Sequence, residues 1–428
     1  MRCPSAEAGH AGFPRMLWRT RGRRAWAACA LALAAALALA VGAGPAAAAQ
    51  TFRVLYRFRG QPTDGDGPLA GLLMDTSGNL YGTTLWGGKY STCPPGGVGC
   101  GTVFELDTNG VETVLHNFTG PDGANPVANL IMDANGDLYG TAGAGGILQY
   151  CKTLNYAGCG VVFKLSGTKE TVLHRFTAGA DGAQPVAGVI MDASGALYGT
   201  AYEDGPIGAG VVFKLVGKKL TVLHAFTGGR DGGFPTGGLL MGANGVLYGT
   251  ASSGGDGNCE YPYGCGVAFK LAGKKETVLH AFRGSPDGEE PSAALTADAA
   301  GNLYSTTYYG GRDDNCGTVF ELTAGDKEQV LHRFGREHDG CRAFAGVVLD
   351  PQGNLYGTTL DGNDAGAGVV YEITADGQEK ILHRFCSWKD CTDGAYPNGL
   401  IIDAEGNLYG TTSNGGINNN GVVFEITP

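Results

Sequence analysis

Between residues 51 and 428 the apolar positions never recur at helical spacing over three turns. They fall instead into short runs rich in Val, Leu, Ile, Thr, Tyr and Phe, each bounded by Gly, Asn, Asp or Pro. Runs of that composition with those boundaries read as short strands. Residues 128–133, 137–142, 160–165 and 170–176 make one set of four. The first two are joined by Asp133-Ala134-Asn135-Gly136, where Asp and Asn bond their own backbone and Gly supplies positive φ. The chain is predicted to be all-β.

The set recurs seven times. Its most regular piece, Asn-Leu-Tyr-Gly-Thr-Thr or a close variant, puts a tyrosine at Tyr81, Tyr139, Tyr198, Tyr248, Tyr304, Tyr356 and Tyr409. A period of about 50–60 residues marks a repeat architecture, in which each unit leaves an apolar face for its neighbour to cover. The fourth strand first occurs at Val54-Leu55-Tyr56-Arg57-Phe58, ahead of the first complete unit, and the last unit stops after its third strand. The two ends are therefore complementary, and the N-terminal strand is predicted to complete the seventh sheet. The fold class expected is a seven-bladed β-propeller of four-stranded blades, spanning residues 50–428. A β-helix coil is shorter than this unit, and an open array of sheets needs no such split.

Residues 1–49 stand apart. Five arginines from Arg15 to Arg24 precede an Ala/Leu-rich run and a closing Ala46-Ala47-Ala48-Ala49, the plan of a secretory signal cleaved after Ala49. The rival reading of that run is an uncleaved anchor. Removing the segment takes six Arg and one Glu from the 30 basic and 41 acidic side chains, leaving a net charge near −16. Nucleic acid and anionic lipid need a basic footprint, so neither is expected as a partner, and no membrane contact is expected once the signal is gone. A secreted monomer, extracellular or periplasmic, is the expectation.

Ten Cys lie beyond the signal. Cys93/Cys100, Cys151/Cys159 and Cys259/Cys265 are close pairs at one place in the unit, and Cys386/Cys391 is a fourth. Cys316 has no near mate, which leaves it Cys341. An even count behind an export signal reads as five disulfides. With no Cys-x-x-Cys and no His among these loops, no metal is expected, and no cofactor motif stands out.

The Leu-Tyr-Gly-Thr-Thr piece, with the following Gly-Thr-Val-Phe-Glu-Leu and Thr-Val-Leu-His-x-Phe, resembles the GloVer family of choice-of-anchor tandem repeat proteins over residues 51–427. The resemblance implies an exported bacterial protein and brings no activity for any named residue. Many members end in an anchoring segment, whereas here Pro428 follows the last strand directly and no anchor is expected.

Candidate chemistry lies in three places. His116, His174, His224, His280, His332 and His383 occupy the fourth strands, with Tyr56 in the seventh. Equivalent positions on outer strands cannot converge on one metal, so these rings are expected to be structural. An Asp-Gly pair opens each blade at Asp64, Asp122, Asp181, Asp231, Asp287, Asp339 and Asp393. Its loop leads to the next inner strand, so these carboxylates are expected near the central opening, as turn caps or as a site for a cation or polyol. The loops between second and third strands vary in length and carry Trp86, Tyr90, Tyr156, Tyr202, Tyr263 and Tyr308, with Trp388 on the same face. Variable loops on a rigid scaffold are where binding resides, and aromatic planes beside carboxylates suit sugars or an extended polymer. Binding of an extracellular glycan or protein is the function expected. The alternatives are a polysaccharide lyase or hydrolase using axial carboxylates, and a structural envelope protein.

Overall fold

The computed structural model describes residues 50–90, 93, 98–149, 151, 158–256, 259, 264–312, 314–335 and 339–428. The expected signal segment 1–49, Tyr156 and Tyr263 lie outside the described residues. Seven four-stranded antiparallel sheets make up a seven-bladed β-propeller, as the repeat predicts. The second blade comprises Ile131–Met132, Leu138–Ala142, Val161–Ser166 and Lys169–Arg175, in that order from inside to outside.

The innermost strand is shorter than its apolar run. Of residues 128–133 only Ile131–Met132 pairs in the sheet. The leading residues give backbone groups to the neighbouring blade: the Thr83 hydroxyl donates to the Ala128 carbonyl, and Thr141 donates to Ala187 at 2.9 Å. Thr250, Thr306, Thr358 and Thr411 make the same link, which explains the first Thr of the repeated motif.

The ring is closed by its two ends. Thr51–Arg57 pairs antiparallel with Val422–Thr427, outermost in the seventh blade. Its register skips Leu55, just as the corresponding strands skip Leu115, Leu173, Leu223, Leu279, Leu331 and Leu382. The N-terminal segment thus carries the same bulge as the six other outer strands, and is a true member of the set.

Aromatic rings join the blades. The Phe of each His-x-Phe, and Phe58 of Tyr56-Arg57-Phe58, meets the third-strand aromatic of the next blade, from Phe58–Phe104 at 5.1 Å through Phe118–Phe163 at 5.2 Å to Phe385–Phe424 at 5.1 Å. Most of these contacts are edge-on, the geometry the ring quadrupoles favour, and the rings are fully buried. The glycine after the motif tyrosine exists for this packing: a Cβ at Gly140 would lie 2.7 Å from the Phe163 ring.

Five disulfides form, Cys93–Cys100, Cys151–Cys159, Cys259–Cys265, Cys316–Cys341 and Cys386–Cys391. Among the described residues no helix is long and apolar enough to cross a membrane.

Candidate binding face

The Asp-Gly carboxylates sit at the outer end of their loops, against the fourth-strand histidine of their own blade. His Nε2 to Asp distances are 3.2 Å for His116–Asp122, 3.0 Å for His174–Asp181, 3.3 Å for His224–Asp231, 3.1 Å for His280–Asp287, 2.9 Å for His332–Asp339 and 3.2 Å for His383–Asp393. In the seventh copy the Tyr56 hydroxyl donates to Asp64 at 2.8 Å. Burial alone would raise the Asp122 carboxyl, but hydrogen bonds from His116 and Thr119 overcome it and hold the group below its ordinary range. Asp181, Asp339 and Asp393 are held low in the same way. The expected gathering of these carboxylates near the central opening is therefore not what the loop produces. The chain reaches its Asp within a few residues of the outer strand, before it turns inward.

A glutamate from the next blade faces five of these pairs. Glu112, Glu170, Glu276, Glu328 and Glu379 open the outer strands, and each keeps one buried oxygen without a hydrogen-bond partner among the described residues. Burial pushes Glu112, Glu170 and Glu276 up to about 7, with Asp64, Asp122 and Asp231 respectively adding repulsion. At one junction His280, Asp287 and Glu328 bring potential ligand atoms within 4.8 Å of one another. Leu220 and Phe52 take the glutamate's place at the two remaining junctions, and Phe52 stacks on His383 at 3.6 Å.

Nearer the axis a second ring appears that the sequence reading missed. In each Asp-Gly-x-x-Pro loop the residue before the proline has left-handed backbone: Gly67, Asn125, Gln184, Phe234, Glu290, Arg342 (where Ala343 replaces the Pro) and Tyr396, with φ between 54° and 63°. Six of the seven carry a side chain there, at a cost of roughly 1–2 kcal/mol each. Hydrogen bonds on both sides hold the backbone in place. The Gln184 N–H donates to the Cys159 carbonyl at 2.8 Å while its own carbonyl accepts from Tyr202 at 3.0 Å, and Arg342 does the same with Cys316 and Leu360. The signal was present in the sequence, because this is the one position of the loop that differs in every repeat. Backbone strain at fixed positions bearing dissimilar side chains is a mark of a functional surface.

The ring surrounds an axial cavity of about 670 Å³. Its wall is backbone with small apolar side chains such as Ala70, Val127, Val186 and Ala293, and no charged residue lines it. Tyr202 and Phe344 do. Tyr202 packs on Phe234 at 5.4 Å, and Tyr308 meets Phe344 at 6.0 Å. Of the expected aromatics, Tyr202 thus lines the cavity and Tyr308 stands behind the lining residue Phe344. Trp86 lies half-buried beside Gly67 of the same ring. The other two are elsewhere: Tyr90 receives the Gln61 side chain on its carbonyl, and Trp388 meets Phe52 edge-on at 5.7 Å on the outer strand of the seventh blade.

Residues 45–263 and 258–428 match the Gloeobacter/Verrucomicrobia repeat, and the chain belongs to that family. No curated protein matches the sequence. Among solved structures, a fungal alcohol oxidase of the AA5 family in complex with copper is 14% identical with a TM-score of 0.51, covering 88% of this chain and 76% of its own. A gluconolactonase from Xanthomonas campestris is 14% identical with a TM-score of 0.39, covering 87% of this chain and 98% of its own. At these identities the likeness to the oxidase is one of fold.

Proposed function

We propose that the protein is an exported binding module that engages an extracellular protein or glycan through the loop face. One observation carries this reading. Of the ten large apolar side chains that are exposed among the described residues, eight belong to that face, seven on loops (Tyr90, Val98, Leu148, Ile207, Phe344, Trp388 and Ile417) and Tyr396 at the start of a strand. Exposed apolar surface concentrated on one side marks an interaction site. The five disulfides support export, since such bonds persist in oxidising compartments. The test is a screen of the purified chain against glycan arrays and extracellular proteins, repeated with Phe344→Ala, Tyr396→Ala and Trp388→Ala. Loss of a partner in at least one variant is expected; a partner bound equally by all three removes this face as the site.

A further inference from the structure

The mouth of the axial cavity joins an uncharged well to a rim of carboxylates. A volume of about 670 Å³ lies inside the range of roughly 300–1,000 Å³ typical of small-ligand sites. The wall carries no charged side chain, and Leu, Val, Ile and Ala outnumber its few polar groups such as Asn129, Thr236 and Ser292, so an apolar body suits it. At the rim the seven repeats can be compared with one another. In the sixth blade Arg342 donates to Asp361 at 2.9 Å, and its guanidinium lies 6.0 Å from the centre of the Tyr308 ring. In the third blade the corresponding pair is Gln184 and Glu203, joined at 2.8 Å. A neutral amide stands there in place of the guanidinium, and among the described residues Glu203 meets no basic side chain.

The consequence is a carboxylate, hydrogen-bonded to the cavity-lining Gln184, that lacks the cation its counterpart has. Tyr202, immediately before it, lines the cavity. Burial pushes Glu203 above its ordinary range and neighbouring Asp204 adds repulsion; Asp204 is itself raised. Across the ring Glu290 is raised by burial and by Glu289. A positive charge brought to the third blade would relieve the repulsion between Glu203 and Asp204, and an aromatic face attracts a cation through its ring quadrupole.

Resting on the proposed role of the loop face, we propose that the axial cavity takes an apolar group bearing a positive charge, with the cation seated between the Glu203 carboxylate and the Tyr202 ring. The cation supplies in the third blade what Arg342 supplies in the sixth. The apolar body fills the well below, past Val186 and Ala187. Two sources share this chemistry, a free alkylamine and a peptide with an apolar side chain next to lysine.

The experiment is calorimetric titration of the purified chain with three ligands of one shape: octylammonium, 1-octanol and octanoate. A fourth titrant, the peptide acetyl-Leu-Lys-Leu-Lys-amide, separates the two sources. Octylammonium or the peptide is expected to bind at least tenfold tighter than octanol and octanoate. Glu203→Gln and Tyr202→Ala are each expected to weaken it at least tenfold, while Val216→Ala, at an exposed strand end outside the loop face, leaves it unchanged. Equal affinity for the three octyl compounds, no binding of either cation, or full affinity in Glu203→Gln overturns the assignment. If both cations fail while Tyr396→Ala or Trp388→Ala abolishes capture of a partner in the screen above, the loop face stands and only the cationic site falls.

Discussion

The hydroxyl of Tyr371 is buried hard against the backbone of Gly357, where a Cβ would lie 2.3 Å from it, and it has no hydrogen-bond partner among the described residues. Six of the seven blades place Phe at this position, as at Phe163 and Phe424. An unsatisfied buried hydroxyl costs about 1–3 kcal/mol. Tyr371→Phe is therefore expected to stabilise the protein by about 1 kcal/mol, read as a higher midpoint in urea unfolding. A lower midpoint would mean that the hydroxyl has a partner, such as a buried water.

The junction glutamates give a pH dependence of definite sign. Glu112, Glu170 and Glu276 are pushed up to about 7 in the folded protein, so between roughly pH 4.5 and 7 the unfolded chain has lost protons that the folded chain retains. Their contribution is fully present below pH 4.5 and is lost as pH rises through 7. The Asp partners of His116, His174, His332 and His383 are held low, so their contribution appears above the unfolded carboxylate range and vanishes in acid. Thermal unfolding should therefore show its highest midpoint near pH 5 and a fall toward pH 8. The variant Glu112→Gln/Glu170→Gln/Glu276→Gln should flatten that fall. A midpoint that climbs steadily from pH 5 to 8 would contradict this picture.

Closure by the chain ends can be tested by deletion. Without residues 50–57, Val422–Thr427 becomes an unpaired edge, and His383 loses the ring stacked on it. The truncated protein is expected to unfold at lower temperature and to self-associate in size-exclusion chromatography. A synthetic peptide of residues 50–59 should reverse both effects. A truncated monomer with the original midpoint would show that the seventh blade does not depend on that strand.

The disulfides should contribute unequally. Cys316–Cys341 spans 25 residues and joins two fully buried sulfurs, whereas Cys386–Cys391 spans 5. Loop-closure entropy gives the longer bridge about 3 kcal/mol. Cys316→Ser/Cys341→Ser should lower unfolding stability by about that amount, and by more than Cys386→Ser/Cys391→Ser. Equal losses in denaturant titrations would point to packing as the cause instead of chain entropy.

Much of the architecture was legible because local signals repeat. Apolar runs, Asx turns and the strand left over at Val54 all point to one closed ring, and each is a short-range feature of the chain. The site was less legible for reasons of distance. That Asp122 belongs to a loop between blades can be read directly; where along that loop it sits depends on His116, which pulls it to the outer strand. The partner of Glu170 lies in the preceding blade, and no spacing within one unit reveals it. The left-handed ring was within reach, since aligning the seven units isolates Gln184, Glu290 and Arg342 as the variable position. The cavity wall was not, because alanines and glycines become a surface only when seven copies face one another.

The left-handed ring also separates two jobs that most loops perform together. Carbonyl and amide are both tied to neighbouring backbone at six of its seven stations, and at Tyr396 the amide is, whatever side chain is present, so the scaffold is indifferent to what is displayed there. Exchanging Gln184, Phe234 or Tyr396 for other residues should retune what the opening admits while the blades stay as they are. The molecule thus carries a row of interchangeable keys on a lock body that never needs recutting.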